Sequence, residues 1–104
     1  MPSPPSEQIF HACEHRFRRV GLRTLCEHES CTIEDVIDAI VEATGHVFES
    51  VRIQCYHTHF PKLAAEGIIS YDWDDDIVQI NPDIDPERLQ RFLDDANRQM
   101  IHPV

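Results

Sequence analysis

The sequence predicts one mainly helical α+β domain, ordered helix, helix, helix, β-hairpin, helix. Three observations predict it. Apolar residues recur at helical spacing through most of the chain, and the period changes to two only across Ile68 to Ile80. Thr32, Gly45, Gly67 and Asp85 stand where helix ends need capping residues. With 104 residues there is room for one modest hydrophobic core.

Residues 1–8 read as a flexible arm, with three prolines and two serines in the first six positions. A first helical stretch carries Ile9, Phe10 and Cys13, and a second carries Phe17, Val20, Leu22 and Leu25. Glu14 to Arg19 is a break or a bend between them. Gly21 lowers helix propensity by about 1 kcal/mol relative to alanine and marks a possible boundary. Glu27 to Ser30 is a polar connection.

Thr32 opens the next helix as N-cap, with Asp35 three residues on, close to a capping box. Val36, Ile37, Ile40 and Val41 follow at helical spacing, and Gly45 closes the helix. Ser50 to Ala65 forms a third helix with Ile53, Tyr56, Phe60 and Leu63 along its core face. Pro61 kinks it or opens a shorter segment, and Gly67 ends it. Ile68–Tyr71 and Ile77–Ile80 are short strands joined by the polar turn Asp72–Asp76. Trp73 in that turn is expected to pack on the body of the domain, leaving the carboxylates to solvent or to a protein partner. Asn81 to Asp83 stops the hairpin. Asp85 caps the last helix and Pro86 occupies its first position; Leu89, Phe92, Leu93, Ala96 and Met100 give it one apolar stripe. The three helices and hairpin, residues 9–81, have the order of a winged helix-turn-helix. Residues 82–104 add a C-terminal helix whose stripe is expected to form a homodimer, with packing onto its own core as the competing arrangement.

Charge bounds the partners. Nineteen acidic against nine basic residues give a formal net charge of -10, and Lys62 is the only lysine beside eight arginines. Such an acid-rich, lysine-poor chain suits cytoplasm of very high ionic strength. At low salt it should repel nucleic acid and anionic membrane; at molar salt the Debye length falls to about 3 Å and the repulsion becomes local. No apolar run approaches the ~18–20 residues of a membrane helix, and the first residues do not resemble a secretory signal, so the expected location is cytoplasmic.

Four cysteines, Cys13, Cys26, Cys31 and Cys55, form no CxxC pair and are expected as free thiols. His11-Ala-Cys13-Glu-His15 and Cys26-Glu-His28 with Cys31 have ligand-like spacings, and a thiol or metal sensor rests on them. Cys13 and Cys26 nevertheless sit among apolar residues, where a cysteine serves as a small hydrophobe. His57 and His59 project about 200° apart on a helix, a poor arrangement for one ion. No metal or cofactor is expected. No glycine-rich phosphate loop or nucleophile motif is present, which argues against an enzyme.

The segment from His57 to Tyr71, an amphipathic helix ending in Leu-x-x-x-Gly-Ile-Ile and running into a strand, resembles the recognition helix and first wing strand of winged-helix regulators. "THFPKLAAEGII", residues 58–69, resembles a group of small haloarchaeal winged-helix proteins of unassigned function, whose first helices also carry an arginine cluster. The resemblance covers roughly residues 9–81. It implies a transcriptional regulator whose third helix, 50–66, enters the major groove of double-stranded DNA. With the expected core face inward, Gln54, Cys55, Thr58 and Lys62 turn outward and His57 and His59 flank them. Gln54 is then placed for a base edge and Arg52 and Lys62 for phosphates. The implied DNA-binding set is Arg16, Arg18, Arg19, Arg52, Gln54, Thr58, His59 and Lys62; the first helices' arginines, Arg23 among them, otherwise pair with Glu14, Glu27 or other acids. The wing departs from the pattern, since Glu66 through Glu87 hold eight acids and no base. The alternative is a winged-helix module that binds a protein through the acidic wing or the C-terminal helix.

Overall fold

Thr32 starts the helix on which the fold is organised. Its side chain accepts a hydrogen bond from the Asp35 backbone N–H at 3.1 Å, satisfying one of the free donors of the first turn. In a computed structural model, residues 6–28, 30–72 and 74–100 are described, without the side chains of Gln99 and Met100. The elements are α1 (Ser6–Ala12), α2 (Arg16–Glu27), β1 (Cys31–Thr32), α3 (Ile33–Thr44), α4 (Phe48–Gln54), a π-helical segment (Cys55–His59), α5 (Phe60–Ala65), β2 (Ile69–Asp72), β3 (Ile77–Ile80) and α6 (Pro86–Met100). Residues 1–5 of the expected arm and Trp73 lie outside the described residues, whereas Ser6 to Gln8 already belong to α1.

The break between the first two helices falls at Cys13 to His15, and His15 caps α2 by accepting from the Phe17 N–H. Gly21 is not a boundary but lies buried inside α2. A Cβ there would stand 3.3 Å from the Val36 side chain, so the missing side chain lets α2 cross closely over α3. Gly45 ends α3 in the left-handed region, φ 74°, and its N–H returns to the Val41 carbonyl. Ile33, Val36, Ile37 and Ile40 of α3 meet Phe17, Leu22 and Leu25 of α2 in the core.

Ile9 and Ala12 carry the buried face of α1, while Phe10 is 40% exposed. The hairpin forms as expected, with Ile69 opposite Ile80 and Tyr71 opposite Val78. One strand was not expected: Cys31–Thr32 pairs with β3, giving an antiparallel sheet in the order β1-β3-β2. Two residues are too few to show a period of two, so the chain around Ser30 reads as mere connection. Asn81 ends the hairpin from inside. It is buried, donates from Nδ2 to the Gly67 carbonyl at 2.7 Å, and accepts the Asp83 N–H at its Oδ1.

The C-terminal helix is part of this core. Asp85 caps it by accepting the Glu87 N–H. Leu89 and Leu93 are fully buried and Ala96 is 4% exposed within the single chain, against α1 and α2. Arg23 of α2 also pairs with Asp94 at 2.9 Å. This corrects the expected dimer stripe: Leu89, Leu93 and Ala96 are already covered, Phe92 is half-buried with the Arg88 guanidinium 5.8 Å from its ring centre, and the Met100 side chain lies outside the described residues. The result is a mainly helical α+β fold with a small antiparallel sheet, compatible with a winged helix. Among the described residues no helix is long and apolar enough to cross a membrane.

Candidate nucleic-acid interface

The third helix runs continuously from Phe48 to Ala65, but it is not one regular α-helix. Pro61 lacks an N–H, and its ring crowds the carbonyl four residues back. Just before it the chain widens into a π-helical turn, Cys55–His59, in which the Phe60 N–H bonds the Cys55 carbonyl. A π turn inserts one extra residue and so rotates the N-terminal part of the helix by roughly 100° relative to the C-terminal part.

That rotation rewrites the helix's faces. Phe60 and Leu63 are buried as expected, and Tyr56 is half-buried. N-terminal to the wide turn, however, Val51 and Cys55 take the core positions at 0% exposure, and Ile53 stands out at 46%. Cys55, expected outward, is thus an interior residue, and burial pushes its thiol up to about 12. His59, expected on the flank and among the DNA-binding residues, is 4% exposed. Its ring packs against His15 and Phe17 at centroid distances of 4.3 and 5.7 Å. A ring held there is not offered to a duplex.

The exposed face left by these changes carries Ser50, Arg52, Ile53, Gln54, His57, Thr58 and Lys62. Its two cations are engaged. Both Glu49 oxygens accept from Arg52, the Nε contact being 3.3 Å, and this bonding holds the Glu49 carboxyl below its ordinary value. Lys62 Nζ lies 3.5 Å from Glu66 Oε1. Exposed pairs of this kind are weak, so either cation is free to exchange its carboxylate for a phosphate.

The arginines of α2 do not gather on this face. Arg16 donates to the Ala43 carbonyl at 3.0 Å, at the end of α3. Arg19 is buried and donates from Nη1 to the carbonyls of Cys13 and Glu14 at 3.0 and 2.8 Å, where α1 ends. Cations at helix C-termini meet free carbonyls and the negative end of the dipole. Arg23 pairs with α6. Arg18 is half-buried beside Lys62 and Glu66. The expected phosphate cluster is therefore divided: Arg19 is structural, Arg16 caps while remaining exposed, and Arg18 borders α5.

The wing is acidic in structure as in sequence. Asp72 Oδ1 accepts from the N–H groups of Asp74 and Asp75 at 3.0 and 3.2 Å, folding the turn, and Asp76 adopts φ 59°. The Asp76 carboxylate lies 3.5 Å from the Tyr56 hydroxyl, so the turn sits beside the third helix. Burial, then Asp76, raises the Tyr56 phenol.

A further signal lies in the sequence itself. Residues 50–65 contain no Asp or Glu in a chain that has nineteen. Carboxylates cover the outer faces of α3 and the wing and are missing from the face of the third helix between Glu49 and Glu66. A groove lined by Arg16, Arg23, Glu27 and Glu42 among others shares no lining residue with that face. Among the described residues no group of three or more His, Cys, Asp or Glu is placed to hold a metal ion, and the four cysteines are free thiols.

No characterised protein and no solved structure matches the chain. A family described as a domain of unknown function (DUF7344) matches residues 10–79, from α1 to the last strand of the hairpin and short of α6. The chain belongs to that family, DUF7344.

Proposed function

We propose that this protein is a winged-helix DNA-binding regulator adapted to high salt, which sets helix 48–65 in the major groove. The observation that carries the reading is the acid-free outer face of that helix on a chain of net charge -10. Dense carboxylate elsewhere repels a polyanion, and a face without it is where a polyanion approaches at least cost. Arg52 and Lys62 supply phosphate contacts at two points along the helix, and Gln54 and Thr58 supply hydrogen-bonding groups for base edges. Arg16, exposed at the end of α3, and Arg18, beside Lys62, extend the positive margin.

Fluorescence anisotropy of labelled genomic duplex fragments, titrated with protein across ~0.2 to 3 M KCl, tests this, because screening at ~3 Å leaves only close contacts. Saturable, sequence-dependent binding, lost in Lys62→Glu but kept in a substitution of exposed Asp38 on α3, is the expected result. Absence of binding at every salt by the folded protein sinks the reading. The acidic hairpin then becomes the surface to pursue, as the contact of a protein-binding module.

A further inference from the structure

We infer that Ile53 reads a thymine 5-methyl group, and that the duplex recognised by helix 48–65 places an A·T pair beneath Ile53 and Gln54. The inference rests on the DNA-binding reading above and names its substrate class.

Ile53 is 46% exposed because the π turn carries it off the core face. A single exposed aliphatic residue is ordinary; its place is what gives it meaning. It lies in the N-terminal part of the third helix, the part from which a groove-bound helix contacts base edges. The exposed residues around it are Glu49, whose carboxylate is bound by Arg52, and Ser50, Gln54, His57 and Thr58, none of which is acidic. In the major groove the apolar feature offered by the bases is the thymine C5-methyl, absent from cytosine and from uracil. Gln54 is suited to the N6 and N7 groups of adenine. An isoleucine for the methyl beside a glutamine for adenine matches A·T rather than G·C, and DNA rather than RNA.

The test uses the full chain and a duplex recovered by selection from a randomised library, resynthesised with deoxyuridine replacing thymidine, first throughout and then one position at a time. That exchange removes methyl groups and leaves every hydrogen-bonding edge unchanged. Wild type should bind the substituted duplex about fourfold more weakly for one contacted methyl, the worth of burying such a group. Ile53→Ala should bind the thymidine duplex about fourfold more weakly and be indifferent to the exchange, since the two deletions remove the same contact. Ile53 makes no part of the core, so the alanine variant keeps the fold, and Ile53→Val should retain most of the sensitivity. Equal binding of both duplexes by wild type overturns the inference while DNA binding stands, as does an undiminished response in Ile53→Ala. Failure of wild type to bind any duplex removes the DNA reading, and this inference with it.

Discussion

The imidazole rings of His15 and His59 lie with their centroids 4.3 Å apart and their planes at 54°. His15 is half-exposed at the start of α2, where Nδ1 accepts the Phe17 N–H. His59 faces it from the wide turn of the third helix, and neither of its ring nitrogens has a hydrogen-bond partner among the described residues. A buried ring and a half-exposed one thus join the candidate recognition helix to α2.

Acid should weaken that junction. Burial, then His15 and Arg18, depresses His59 to about 4, and burial lowers His15 in the same direction. In the unfolded chain both return to about 6.5. The unfolded state therefore takes up protons first as pH falls, so stability present above about pH 6.5 is lost on the way to pH 4. His59 alone should remove on the order of 2–3 kcal/mol between pH 7 and 4.5. His59→Phe keeps a planar ring with no proton to accept. Urea denaturation at the two pH values should show a clearly smaller loss in that variant; an equal loss would place the acid sensitivity elsewhere.

Arg19 distinguishes a structural arginine from a binding one. Its Nη1 serves two carbonyls at the end of α1 from a buried position. Removing a charged donor leaves both oxygens short of a partner, so Arg19→Met should cost about 2–4 kcal/mol. Arg19→Lys should recover less than half, because an ammonium does not reproduce the guanidinium fork. Neither substitution should change the salt dependence of DNA binding measured well below the melting temperature. Lys62→Gln should do the opposite, leaving stability nearly unchanged and lowering the slope of log K on log salt by about one. A changed slope in the Arg19 variants would return that residue to the interface.

Legibility in the sequence depended on which interactions are local. The caps at Thr32, Gly45 and Asp85 act within a few residues, so the helix boundaries they set were readable. The hairpin was readable because its strands alternate and its turn is polar. The inner and outer faces of the third helix were not. A period of 3.6 extended backward from Phe60 and Leu63 puts Ile53 inside, and one inserted residue before Pro61 reverses that. A proline announces a disturbance without saying whether it will be a kink, an end or a π turn. The fates of Arg16, Arg19 and Arg23 on α2 were equally hidden, because their partners, the carbonyls of Ala43, Cys13 and Glu14 and the Asp94 carboxylate, are set by packing between helices. The lack of acids across residues 50–65 was in plain view, and it gained meaning only once that stretch proved to have an exposed face.

The stripe of α6 makes a prediction about concentration. Leu93 is fully buried within one chain, so Leu93→Ala should destabilise by about 2–5 kcal/mol through lost contacts and a cavity. If that burial belongs to the protomer, the drop in melting temperature is the same at 5-fold and 50-fold dilution. A stripe shared between two copies would instead give a melting temperature that rises with protein concentration. Thermal melts of wild type and variant over that range separate the two.

The acidic wing should act on DNA as a brake whose strength depends on salt. Asp76 lies 3.5 Å from Tyr56, so Asp74 and Asp75, both exposed in the same turn, stand beside the helix that is proposed to enter the groove. Unit charges at that range repel phosphates through solvent, and the repulsion decays over about 10 Å at 0.1 M salt and about 3 Å at 1 M. Asp74→Asn with Asp75→Asn removes two charges without changing side-chain size. Asp72, which folds the turn by accepting from both of their backbone N–H groups, is left in place. Affinity for duplex should rise several-fold at ~0.2 M KCl and the gain should vanish near 1 M. A gain that persisted at high salt would mean that the two carboxylates are desolvated at a direct contact. No gain at low salt would place the wing away from the duplex and leave its carboxylates available to a protein partner.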